Sequence, residues 1–133
     1  MSAASNYLEL QLLNHALGTT AFTRPTSVWV ALFTADPTEA GAFTAEIVAT
    51  STGYARQTAT FASAVNGSAS TSATITFPTA TANWGTITHI AIVDNATRGA
   101  GNVLFYGPVT TAKIIETGDT FQITNGNLTV SLD

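Results

Sequence analysis

The sequence contains no cysteine. That absence removes disulfides, zinc–thiolate sites and thiol nucleophiles, and leaves the redox compartment open. Charge is almost as scarce: 9% of the 133 residues are Asp, Glu, Lys or Arg, against roughly 25% in a typical soluble domain. The four basic residues, Arg24, Arg56, Arg98 and Lys113, are scattered, and the net charge is −4. With no basic stripe to neutralise phosphates, a nucleic-acid partner is not expected. No run approaches the ~20 apolar residues that span a bilayer. The N-terminus lacks a basic segment followed by a continuous apolar core, so neither a signal peptide nor a membrane partner is expected, and synthesis in the cytoplasm is.

The usual signatures of catalysis are missing as well. His15 and His89 have no second histidine or paired glutamate at metal-ligand spacing. No serine sits in a Gly-x-Ser-x-Gly elbow, and no Gly-rich loop links a strand to a helix to cradle phosphate. His89, within an apolar run, reads as a hydrogen-bonded core residue. Asp36, Glu39 and Glu46 are hard oxygen ligands of the type that gathers around calcium on loops, but they fit no ligand-loop pattern and read as solvated acids. The sequence therefore predicts no enzyme, no catalytic residue, no metal and no cofactor.

What is present is a chain that is 45% hydrophobic, with threonine, alanine and serine standing where charged residues usually do. Such a composition suits a protein that hides much of its surface against partners, or one whose surface is polar but uncharged. At this length one domain, residues 1–133, with one core is expected.

Periodicity predicts one helix over residues 6–17. Asn6 and Glu9 form a capping-box-like pair, and Leu8, Leu12 and Ala16, flanked by Leu13 and Leu17, make an apolar stripe ending at Gly18. Strands are expected from about residue 27 onward. Residues 27–33 (SVWVALF) come first, and Asp36-Pro37 turns the chain. Residues 39–53 read as a long contact loop, with a short strand near Glu46. Residues 54–61 and 73–77 are predicted to pair as a hairpin across the Asn66-Gly67 turn.

Residues 86–93 (TITHIAIV) form the most strand-like segment, apolar on both faces as a central covered strand requires. Ile87, His89, Ala91 and Val93 should share one face, and Thr88, Ile90 and Ile92 the other. Two strands follow, separated by Gly107-Pro108. A closing hairpin, residues 120–124 with 128–132, turns over Asn125-Gly126-Asn127. Short strands at this spacing predict a mainly β fold: an antiparallel β-sandwich or small barrel of about eight strands with one N-terminal helix. Trp84, in the Asn83-Trp84-Gly85 turn, has two readings. It could join Trp29, Tyr54 and Tyr106 in a platform that stacks on sugar rings, or anchor the end of the core, which is favoured.

Three groups of residues together resemble a known family. The first is Tyr7-Leu8-Glu9 with Leu12-Leu13, His15 and Leu17-Gly18, then Pro25, residues 30–34 (VALFT) and Asp36-Pro37. The second is residues 53–57 (GYARQ) with Thr60-Phe61. The third is residues 77–80 (FPTA) with Trp84-Gly85-Thr86 and His89, continued by Gly101-Asn102, Tyr106-Gly107 and Gly118-Asp119. The pattern is similar to a family of small virion structural proteins of tailed bacteriophages. The resemblance implies a non-enzymatic role in the particle. The leading expectation is a capsid decoration (cement) protein on the outer face of the head. Its partners would be the major capsid protein and copies of itself, as a homotrimer. The alternatives are a tail or tail-fibre component contacting the host surface, and a carbohydrate-binding β module with a host glycan as ligand. The expected partner contacts are Tyr7, Leu8, Glu39, Phe43, Glu46 and Trp84.

Overall fold

The computed structural model describes residues 3–132; Met1, Ser2 and Asp133, part of the expected domain, lie outside the described residues. In order, the chain forms β1 (Ala3–Ala4), α1 (Asn6–Ala16), β2 (Val28–Phe33), β3 (Gln57–Ala59), β4 (Ser68–Ser70), β5 (Ile75–Thr76), β6 (Gly85–Val93), β7 (Val103–Ile115), β8 (Gln122–Ile123) and β9 (Thr129–Ser131). All pairings are antiparallel. Five strands form one sheet in the order β1-β7-β6-β2-β3, while β4–β9 and β5–β8 form two-stranded ribbons. Among the described residues the fold is sandwich-like and mainly β, with one helix, and does not close into a barrel.

β6 occupies the centre of the sheet, as its apolar faces require. Val30 and Leu32 of β2 and Ile87, Ile90 and Ile92 of β6 pack with Phe77, Trp84, Phe121 and Leu128 in the main core. Behind the sheet, Ala31, Phe33, Ala91, Val93, Val103 and Tyr106 form a smaller core covered by Trp29, Phe43 and Ala45. Burying each large aliphatic side chain contributes about 1.5–3 kcal/mol, so a strand buried on both faces dominates the stability. The expected alternation fails at Ile87, which packs with Ile90 and Ile92 instead of Ala91 and Val93. The reason is a slip in pairing. The step from His89 to Ile87 on β6 is matched by the step from Pro108 to Lys113 on β7, so residues 109–112 bulge opposite Thr88.

That bulge also corrects the expected break at Gly107-Pro108. β7 is one strand that runs through both residues, with Gly107 paired to Ile90 and Pro108 to His89. Proline lacks a backbone N–H and is tolerated where a ladder is already interrupted. Among the described residues, β1 pairs with β7 at Phe105 and Tyr106, and no described strand pairs with the outer edge of β7 beyond them. Proline, a bulge and Lys113 are common means of keeping such an edge from adding foreign strands.

The predicted hairpins are also rearranged. Asn66 and Gly67 do make the tight turn, with φ of 53° and 74° and mutual bonding of Val65 and Ser68. A Cβ on Gly67 would stand 2.8 Å from the carbonyl oxygen of Leu132. Its arms stay bridged as far as Phe61 and Thr71, with the N–H of Ala62 on the carbonyl of Ser70 (3.0 Å) and that of Ser72 on the carbonyl of Thr60 (2.9 Å), and the strands beyond them take other partners. β3 pairs with Val28–Val30 of β2, whose same edge is bridged further on by Glu46 opposite Phe33, the remnant of the short strand expected there; β4 pairs with β9, and β5 pairs with β8. Residues 120–124 and 128–132 likewise join different ribbons and do not pair with each other.

The helix starts one residue earlier than its sequence suggests. Ser5, buried at 1% exposure, is the cap. Its Oγ accepts from the N–H of Leu8 at 3.2 Å and donates to the carbonyl of Val103. Ser5 is chosen over Asn6 because its N–H also bonds the carbonyl of Leu104 (2.9 Å), continuing the β1–β7 pairing into the helix.

Candidate functional site

The most developed polar arrangement is internal. Glu46, from the long loop, and Arg56 form an ion pair whose side chains are both 0% exposed. The Arg56 guanidinium donates from Nε to Oε1 at 2.7 Å and from Nη2 to Oε2 at 2.9 Å. Its Nη1 donates to the carbonyls of Asn95 (2.7 Å) and Ala100 (2.9 Å), and its face lies 4.8 Å from the Phe43 ring centroid. Glu46 accepts further bonds from the Tyr54 hydroxyl (2.8 Å) and the N–H of Gly99 (2.9 Å). Arg98 holds the backbone of the same loop through the carbonyls of Glu46 (2.8 Å) and Ile47 (3.1 Å).

Burial first, and then the Glu46 charge, push the ionisation of Tyr54 far above its ordinary range. The phenol stays a donor to Glu46 while its oxygen accepts from the N–H of Leu32 at 3.1 Å. Among the described residues no buried side-chain nitrogen or oxygen lacks a partner. Since the lone pairs of Glu46 are engaged, this cluster has no base to offer a substrate. It is a clamp that ties residues 43–47, the Tyr54–Arg56 segment and the β6–β7 turn together.

This placement revises the expected contact residues. Glu46 is neither a solvated acid nor an available contact; it is consumed by Arg56. Leu8 (4% exposed) belongs to the main core. Trp84 is the anchor rather than a platform: it is 5% exposed, its Nε1 donates to the carbonyl of Thr52 at 2.8 Å, and it meets Tyr54 edge-on at 5.5 Å. Tyr54 and Tyr106 are buried too, so the aromatic set does not assemble as a sugar-binding surface. Phe43 is half-buried, stacked on Phe33 at 6.4 Å beneath Arg56. Tyr7 is half-buried against the main core, and Glu39 is exposed.

The histidines are likewise apart from any site. Nδ1 of His15 accepts from the N–H of Phe22 at 3.0 Å, and that of His89 lies 2.9 Å from Thr88 Oγ1. Among the described residues no group of three or more His, Asp or Glu is placed to hold a metal, and no helix is long and apolar enough to cross a membrane.

The exposed apolar groups form a different pattern from the one expected. On α1 and its C-cap, Leu10 and Leu13 are each 58% exposed and Leu17 is 76% exposed. Their steps of three and four residues place them in one row on the solvent side. An open, apolar gap of about 340 Å³ separates the β4–β9 ribbon from the sheet, lined by Val28, Phe61, Ile92, Leu104, Phe105 and Val130. A larger opening of about 660 Å³ lies between the bulged arm of β7 and the segment around β8 and β9. The leucine row had a signal in the sequence: leucines at 8, 10, 12, 13 and 17 are too many for a single stripe, so the helix must be apolar on more than its core face.

Comparison with known protein families gives a match to the family described as Podophage GP4 fiber I protein gp80, over residues 3–131. No curated protein matches the chain at a significant level.

Proposed function

Since the chain belongs to the Podophage GP4 fiber I protein gp80 family, we propose that it is a structural subunit of the phage fibre. The match over residues 3–131 carries this reading. Low charge and small polar residues suit any module that repeats and packs, and so favour head and fibre equally. The family description favours the fibre over capsid decoration. The fold suits a mechanical part: a sheet buried on both faces, with its longest loop bound to it by an internal ion pair.

Gold-labelled antibody against the chain should decorate the fibres of intact particles. Label spread over the head facets, with copies in the hundreds per particle, would overturn the assignment in favour of capsid decoration.

A fibre subunit must join its neighbours, and the row Leu10, Leu13 and Leu17 is the surface offered. Steps of three and four residues are those of a coiled-coil seam, where side chains of one helix enter holes in another. The only carboxylate on α1 is that of Glu9, so little charge opposes a second copy of the same helix, and a second copy is the occupant proposed. The purified chain should sediment as an oligomer, with the homotrimer as the expected state. Leu13→Glu should convert it to monomer with an unchanged circular dichroism spectrum. A wild-type chain that stays monomeric at high concentration refutes this role for the row.

A further inference from the structure

We infer that the cleft between the bulged arm of β7 and the β8–β9 segment is a binding groove for an acidic polysaccharide. Three independent features meet there. The first is the cleft itself, about 660 Å³ in volume and open to solvent, within the range that holds a ligand of small-molecule size. The second is the bulge, the largest irregularity in the sheet, which forms one wall and turns Thr110 and Thr111 outward. Bulges of this kind re-aim side chains and are often found beside functional sites.

The third feature is the chemistry of the lining. Its apolar parts include Ile90, Phe121 and Leu128, while its exposed parts include Thr110, Thr111, Thr124, Asn127 and Lys113. The chain carries eight acids against four bases, yet among the described residues the cleft wall contains Lys113 and no carboxylate. Neighbouring Thr120 and Thr129 already bond Thr79 and Ser70 at 2.8 Å, and Gln122 bonds Thr76 at 3.1 Å.

A sugar presents C–H faces and hydroxyl edges together, which fits apolar parts flanked by hydroxyls and an amide. The Lys113 ammonium selects a sugar bearing a carboxylate. An added peptide strand fits less well, because Pro108 has no N–H and the bulge breaks the register that strand addition needs. No exposed tryptophan or tyrosine lines the cleft, so each site is weak, and useful affinity would come from many copies acting together. This last step rests on the fibre reading; the groove itself does not.

The test uses the purified full chain with alginate, a polymer of uronic acids, and with dextran, its neutral control. In affinity electrophoresis alginate should retard the protein and dextran should not. Lys113→Gln should weaken retardation at least five-fold, and Asn127→Ala and Thr111→Val each at least two-fold. Arg24→Gln removes the same charge at an exposed position outside the cleft and should have no effect. Backbone amide shifts on adding alginate should centre on Thr110, Thr111 and Asn127.

No retardation by alginate, equal retardation by dextran, an Arg24→Gln effect as large as that of Lys113→Gln, or shifts centred elsewhere would each overturn the proposal. Failure here with gold label on the fibres removes the groove alone. Binding intact with label on the head removes the fibre assignment alone.

Discussion

Arg56→Ala is expected to destabilise the fold by about 3–5 kcal/mol, the range seen when one partner of a buried ion pair is removed. The loss arises less from the missing attraction than from what remains. Glu46 would be left as a buried carboxylate holding only the Tyr54 hydroxyl and the Gly99 N–H, and the carbonyls of Asn95 and Ala100 would each lose the donor Arg56 provides. Arg56→Lys should recover little, because one ammonium cannot reproduce the two parallel bonds to Glu46 or the planar contact with Phe43.

Replacing both partners, Glu46→Leu with Arg56→Met, should be milder than Arg56→Ala alone, since no buried charge is then unpaired. It should still fall short of wild type, because the backbone groups that Glu46 and Arg56 satisfy are left unbonded. Urea unfolding midpoints with unchanged slopes measure these differences. A loss below about 1 kcal/mol for Arg56→Ala, the level of an exposed pair, would show that the clamp is not a buried unit.

The second large effect is expected at Gly101→Ala, which should destabilise by about 2 kcal/mol or more. Gly101 has φ of +79°, and an added Cβ would collide with the Cβ of Asn95 and lie 2.5 Å from Oδ1 of Asp94. That carboxylate is already held by the N–H (2.7 Å) and the side-chain amide (3.0 Å) of Asn102. The new methyl must therefore displace the turn whose carbonyls receive Arg56. Gly99→Ala is the matched control: its φ is +77°, and nothing lies within 4 Å of the added carbon. It should show only the left-handed backbone term, about 1–2 kcal/mol. Equal losses at the two positions in urea unfolding would rule out the steric component.

The contrast between these two glycines bears on what could be read before the fold was known. Both lie in one Gly-rich turn between strands, and the sequence supports that turn equally well around either. Only the return of the chain to Asp94 and Asn95 makes one crowded and the other free. Arg56 and Glu46 show the same limit. Ten positions apart, they read as members of a hairpin strand and a long contact loop, because nothing local says that the β6–β7 turn will close over both.

What the sequence by itself determined were the features set within a few residues: the apolar, β-branched run that became the central strand, the Asn66-Gly67 turn, a helix near residues 6–17, and a mainly β chain. Propensity, period and turn chemistry act at that range, and their answers survive in the fold. Only the tertiary structure decided which strands pair, that Gly107-Pro108 continues a strand into a bulge, that Glu46 and Trp84 are buried, and that Leu10, Leu13 and Leu17 face solvent. The physical reason is that a strand's two edges and a helix's several apolar faces are each satisfied by whichever distant segment completes the best-packed core. That choice belongs to the whole chain and not to any stretch of it.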